Sequence, residues 1–316
     1  MRLTYIWHDC FLLSFISCNI VTDFFRTPPA DPDAEAEGGD LPVKSAAEAS
    51  GAESEGGDLP AFLRELDREK PLYVVVSHHH KDHFTPDIFL WEKHFPRIRY
   101  IISRDTARYA RRYIRPESAY KGEKKLSRPE TVTALMAGEE YSDNCLTVKA
   151  FGSTDIGCSY AICCEGLRIF FAGDLNAWVW RREDTAQSDK QMMGEYLHHL
   201  GEIAREFPSF DLVLFPVDYR IGESYSEGPL MFVERIRTRC FVPMHLELWA
   251  TASDRHLLHT KAADLFFSAS HEPASTTQVT SPLSTKLQSD TSSQTFRYVP
   301  LLQPGASIDI QPLSES

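Results

Sequence analysis

Ser77-His78-His79-His80-Lys81-Asp82-His83 follows Leu72-Tyr73-Val74-Val75-Val76, a run with the composition of a buried strand. It leads into Phe84-Thr85-Pro86-Asp87-Ile88-Phe89-Leu90-Trp91, which reads as a turn and then a helix with proline in its first turn. Four histidines and an aspartate thus crowd the end of one apolar strand. Buried His and Asp are costly unless they are paired or bound to a cation. Neutral imidazoles and carboxylates are the usual ligands of zinc and related ions, so the cluster points to a metal site.

The same arrangement, an apolar strand followed by polar residues, recurs along the chain. It is found at Gly152-Ser153-Thr154-Asp155-Ile156-Gly157, at Gly173-Asp174-Leu175-Asn176 and at His245, and more weakly at Asp218 after Phe215-Pro216-Val217. Strand ends are where a rigid sheet anchors functional loops.

Between these points the pattern is mixed. Leu3–His8, Cys10–Ile16 and Asn19–Phe25 read as three strands, and Arg99–Ile102 as another. Asp105 is expected to cap a helix over Thr106–Tyr113. From Thr131 to Gly173 the pattern is strand throughout, with Glu165-Gly166 as a tight hairpin turn. Helices are expected at Gln191–Phe207, Pro229–Arg239 and Ser253–Phe267, strands at Asp211–Val217 and Cys240–Met244, and a closing edge pair at Arg297–Pro300 and Ser307–Ile310. The expected architecture is one α/β domain over residues 1–316, two sheets covered by helices. It carries a flexible acidic insertion at 29–60, with a near-duplicated Ala-Glu-x-Glu-Gly-Gly-Asp-Leu-Pro, and a Ser/Thr-rich flexible segment at 268–294.

Composition narrows the function. The 316 residues are 42% hydrophobic and carry a net charge of -12. Nine of the acids, against Lys44 alone, lie between Pro29 and Pro60. No extended basic surface is available, which argues against a nucleic-acid partner. No apolar run reaches the ~18 residues of a membrane span. The seven cysteines form no CxxC, and Cys163-Cys164 fall on opposite faces of a strand, as expected for reduced thiols in the cytoplasm.

The spacing His78-x-His80-x-Asp82-His83 matches the HxHxDH motif of the metallo-β-lactamase fold superfamily. The Gly-rich turn at 152–157, the strand ending in Gly173-Asp174 and the late strand ending in His245 follow in the family's order, so the resemblance covers Met1 to about Trp249. Trp7-His8 and Asp23 make the chain look most similar to bacterial single-domain hydrolases resembling the lactonase-like proteins of ascorbate metabolism. The resemblance implies a four-layer αββα sandwich with two divalent metal ions, zinc as the expected metal and manganese or iron as alternatives. It assigns His78 and His80 to one ion and Asp82, His83 and His245 to the other. Asp174 would bridge them, and Asp82 would also orient a metal-bridging hydroxide that attacks a small polar or anionic ester, lactone or phosphoester. In one respect the sequence departs from the family. Ser153 stands where the family has a third histidine for the first ion, and Asp155 is the substitute the sequence offers. The alternative is a non-catalytic metal-binding or sensing protein on the same fold, with the Ser153 turn marking lost catalysis.

Overall fold

The protein was studied as a computed structural model, which describes residues 1–29, 59–114, 129–181, 185–245, 252–270 and 296–312. The acidic duplication and nearly all of the Ser/Thr-rich segment lie outside the described residues, as does Trp249.

The first sheet is built from β1 (Arg2–Trp7), β2 (Cys10–Ser14), β3 (Asn19–Thr22), β4 (Leu72–Val76), β5 (Ile98–Ser103) and β6 (Val132–Leu135). The second holds β7 (Glu140–Ser142), β8 (Leu146–Phe151), β9 (Ser159–Cys164), β10 (Leu167–Phe171), β11 (Ser209–Pro216), β12 (Arg237–Met244) and β13 (Arg297–Tyr298). A last strand, β14 (Ser307–Asp309), returns to the first sheet beside β1, giving the orders β14-β1-β2-β3-β4-β5-β6 and β13-β12-β11-β10-β9-β8-β7. Each sheet is antiparallel on one side and parallel on the other: β3 to β6 run parallel, and so do β10 to β13.

Strand alternation decides the layering. In β4, Tyr73 and Val75 join the core shared with the second sheet, whereas Leu72, Val74 and Val76 join a separate cluster with Ile88, Phe89, Trp91 and Phe95. That outer cluster lies under α1 (Ala61–Arg64), the 3-10 helix Pro86–Lys93, α2 (Arg104–Tyr109) and α3 (Arg111–Ile114). On the second sheet, α4 (Ala186–Glu206), α5 (Glu227–Arg235) and α6 (Ala252–Ser270) contribute Tyr196, Leu200, Ile203, Phe232, Ala262 and Phe266 to the larger core. The result is a four-layer αββα sandwich.

Several local expectations change. The cap of α2 is Ser103, whose hydroxyl accepts from Thr106 N, not Asp105. Helix α4 begins at Ala186 because Thr185 accepts from Ser188 N at 3.2 Å, and α6 runs on through Ser270, into the segment expected as loop. The closing strands are not a pair. β13 extends the second sheet beside β12 and β14 extends the first beside β1, because the β1 and β12 edges each offer an unpaired row of backbone groups. The Glu165-Gly166 hairpin is found as expected, with positive φ at both residues and Cys164 opposite Leu167.

Candidate metal centre

The parallel halves deliver their carboxyl ends to one place. There β3 leads to Asp23, β4 to the Ser77–His83 stretch, β10 to Gly173-Asp174, β11 to Asp218 and β12 to His245. Two loops join them, the β1–β2 turn at His8-Asp9 and the β8–β9 loop at 152–158. The second sheet clasps the backbone of the histidine stretch. Cys158 N donates to Ser77 O at 3.0 Å. Gly157, at φ 89°, comes so close that a Cβ there would lie 2.2 Å from Ser77 O, and one on Gly173 would lie 2.5 Å from Ser77 Cβ. Glycine is the residue that meets both demands, positive φ and close approach.

After His80 the chain turns sharply: the N–H groups of His83 and Phe84 both donate to His80 O at 3.0 Å. That turn brings Asp82 and His83 back beside His78. Asp174 sits between two groups of side chains. Its Oδ1 is 3.2 Å from His83 Nε2 and 3.2 Å from His245 Nε2, while its Oδ2 is 3.5 Å from His78 Nε2. His80 Nδ1 lies 3.0 Å from His78 Nε2 and 3.5 Å from Asp155 Oδ2. Two sets with metal-ligand composition therefore share one carboxylate. His78, His80, Asp155 and Asp174 form the more open set, and the deeply buried one includes His83, Asp174 and His245. Asp82 flanks the buried set, its Oδ2 3.9 Å from His83 Nε2 and 3.8 Å from His8 Nε2. All seven residues expected at the site thus lie near one another, with Asp155 beside His80.

The outer nitrogens of His83 and His245 are held by carboxylates, and that of His78 by a serine hydroxyl. Asp23 accepts from His83 Nδ1 at 2.8 Å and from Ser77 N at 2.7 Å, and also bonds the Ser77 hydroxyl, which in turn lies 2.9 Å from His78 Nδ1. Asp218 accepts from His245 Nδ1 at 3.0 Å and is paired with Arg220. A carboxylate is an acceptor only, so these bonds put a proton on Nδ1 and turn Nε2 toward the centre. Among the described residues, the atoms so exposed, His83 Nε2, His245 Nε2 and Asp174 Oδ1, are buried and have no hydrogen-bond partner.

Electrostatics follow from this packing. Burial lowers the His245 pKa, but Asp174, Asp9 and Asp218 outweigh it and raise it to about 9. Burial likewise works against a charged His83, and Asp174 and Asp23 more than reverse that. His78 moves the other way: burial, with His83 and His80 beside it, holds it well below the usual histidine range, a neutral imidazole. Asp82 would be raised by burial, yet His83 and His245 keep it below the ordinary carboxylate range.

Of the four non-glycine residues with positive φ among those described, three are here: His8 at 56°, Asp23 at 29° and His245 at 69°. Such backbone costs of order 1–3 kcal/mol each and persists where the surroundings over-determine it. His79 is turned away from the centre, bonded to Asp105 at 2.8 Å and stacked on Tyr109. Trp178 forms a wall, its Nε1 donating to Asp174 O at 2.8 Å and its ring 5.6 Å from that of His245.

Sequence reading missed Asp9 and did not foresee the orienting roles of Asp23, Ser77 and Asp218. The signal for Asp9 was present: an acid between Trp7 and Phe11, where an apolar hairpin has no reason for one.

No family model matches the sequence, and no curated protein does. Solved structures match over nearly the whole chain. Igni18, a novel metallo hydrolase from the archaeon Ignicoccus hospitalis, is 14% identical over 98% of this chain and 99% of its own, with a TM-score of 0.53. An isothiocyanate hydrolase from Delia radicum gut bacteria is 12% identical over 98% and 99%, with a TM-score of 0.50. YhfI, a metallo-β-lactamase fold protein from Bacillus subtilis, is 10% identical over 84% and 93%, at a TM-score of 0.48. The two seven-stranded sheets, their helical covers and the strand-end histidine motif make this chain a metallo-β-lactamase fold protein. At these identities the likeness is one of fold.

Proposed function

We propose that the protein is a metal-dependent hydrolase acting on a small polar or anionic molecule, an ester, lactone or phosphoester, with two divalent ions held side by side at Asp174. The observation that carries this reading is the trio His83 Nε2, Asp174 Oδ1 and His245 Nε2, all buried and without a hydrogen bond, with both nitrogens converging at 3.2 Å on the Asp174 oxygen. Three such atoms would each cost free energy in a closed core, and a cation satisfies all of them. Zinc is the metal expected from the family resemblance, with manganese and iron as alternatives.

Bound there, divalent ions would supply Lewis acidity toward a carbonyl or phosphoryl oxygen and acidify nearby water. The protein's own part is positional. Asp23, directly and through Ser77, and Asp218 fix the imidazoles with Nε2 inward. Asp82, kept ionised by His83 and His245, is placed to take and orient a proton from an attacking water. His80 and Asp155, whose side chains are 45% and 35% exposed, open the first set to solvent and mark the side from which substrate enters. Trp178 excludes water from the flank of His245. No described helix is long and apolar enough to cross a membrane, and all seven cysteines are free, which supports a cytoplasmic setting and a diffusible substrate.

The test is metal analysis of purified protein, then a panel of lactones, phosphodiesters and phosphomonoesters on wild type and Asp174→Ala. Wild type that takes up no zinc or manganese would sink the proposal. A second reading, metal binding without catalysis, is favoured by one feature, Ser153 at the family's histidine position. It predicts bound metal with no difference between wild type and Asp174→Ala across the panel.

A further inference from the structure

One buried acid remains outside that scheme. Asp9 stands at the tip of the β1–β2 hairpin, directly after the strained His8, and is 0% exposed. Neither of its carboxylate oxygens has a hydrogen-bond partner among the described residues. Its Oδ2 is 3.6 Å from His83 Nδ1, but the proton of that nitrogen is engaged by Asp23 at 2.8 Å. A carboxylate oxygen of Asp9 and one ligand atom each of His83, Asp174 and His245 all lie within 4.8 Å of one another. A buried carboxyl group with neither oxygen hydrogen-bonded is costly, and a hairpin tip does not need one. The position has the burial, the orphaned acceptors and the neighbours of a ligand.

We propose that Asp9 is a further ligand of the buried metal site, joining His83, Asp174 and His245, with Asp82 at its flank. This rests on the metallohydrolase reading above and adds a selectivity to it. Structural and catalytic zinc sites use three or four protein donors, mostly nitrogen and sulfur. Carboxylate-rich sets with more donors suit manganese, and mixed imidazole–carboxylate sets suit iron. Two carboxylates with two imidazoles, and a third carboxylate, Asp82, at the flank, therefore reduce the advantage that zinc otherwise has over manganese. Asp9 is the residue that tips the balance, because without it the set is the ordinary one of its fold.

The experiment uses the full chain, stripped with a chelator and dialysed separately against graded manganese and zinc, with bound metal counted by mass spectrometry and apo stability followed by thermal melting. For wild type two equivalents of manganese are expected. In Asp9→Asn the second equivalent of manganese weakens by about tenfold or more while the first is unchanged, and zinc weakens less. The apo variant melts no lower than wild type, since asparagine keeps the volume of a buried side chain whose oxygens make no hydrogen bond, yet gains less on metal addition. Asp9→Ser, smaller and uncharged, gives the same pattern if Asp9→Asn packs poorly. Unchanged manganese binding in both variants would overturn the proposal and leave the metallohydrolase reading intact. So would equal loss of both metals together with a collapsed apo melting temperature, the mark of a structural residue. Wild type that binds no metal overturns both.

Discussion

Replacing Asp23 by Asn tests whether the centre is organised from behind. Asp23 is fully buried and serves Ser77 N at 2.7 Å, His83 Nδ1 at 2.8 Å and the Ser77 hydroxyl, which passes the constraint on to His78. Asparagine keeps the volume and one oxygen. Its amide nitrogen is a donor, however, and where it meets His83 Nδ1 the imidazole must move its proton to Nε2, the atom that faces Asp174. Loss of such an orienting partner costs 10–100-fold in metal affinity, or about 1.4–2.7 kcal/mol. Apo stability falls by roughly 1–3 kcal/mol for one poorly paired buried group. Asp23→Ala strands three donors at once and loses about 3–5 kcal/mol. Ser77→Ala, which removes the hydroxyl link between Asp23 and His78 but leaves Asp23 on His83, weakens one of two metal equivalents. Competition with a chromophoric chelator at neutral pH measures the affinities, and urea denaturation of the apo proteins measures the stabilities. Wild-type metal affinity in a folded Asp23→Asn would refute the orienting role.

Other outcomes follow from the same geometry. Gly157→Ala places a Cβ 2.2 Å from Ser77 O at φ 89° and destabilises the fold by at least about 2 kcal/mol, read by denaturation, with loss of metal uptake. Removing metal lowers the melting temperature of wild type, by about 4 kcal/mol of stability at a thousandfold excess of ion over its dissociation constant, and leaves Asp174→Ala nearly unaffected in calorimetry. Asp143 has its pKa depressed: desolvation acts against this, and hydrogen bonds from Tyr73, Cys145 N, Tyr141 and Leu146 N prevail. Its contribution is therefore fully present above the unfolded value of 3.8 and fades as pH falls through the lower folded value. Asp143→Asn should cost about 1 kcal/mol or less at pH 7, the group being exposed, and the difference from wild type should vanish in acid denaturation curves.

Much of this was legible because each clue was local. An apolar run ending in His78-x-His80-x-Asp82-His83 needs no tertiary information to be read as a strand end with ligands, and Gly173-Asp174 and His245 repeat the signal. The alternation in β4 likewise announces its two buried faces. What could not be read was long-range. Arg297–Tyr298 and Ser307–Asp309 look like partners in sequence, and only the two open sheet edges decide that they part company. Asp105 looks like a cap until Ser103 is seen to accept from Thr106 N and Asp105 to hold His79. Asp9 gives a charge in an apolar hairpin, but its meaning depends on His83, Asp174 and His245, all distant in the chain.

The centre is divided between the sheets. His78, His80, Asp82 and His83 come from the first, and Asp155, Asp174 and His245 from the second. Neither sheet alone can offer a complete set, so a chain that has formed both sheets without docking them presents only weak, partial sites. Pairing of distant segments is slow because loop closure precedes any gain from contact. If the centre takes up ions as proposed, their capture would come at the end of folding, and a tightly bound ion, slow to leave, would act as a kinetic lock on the seam between the two halves.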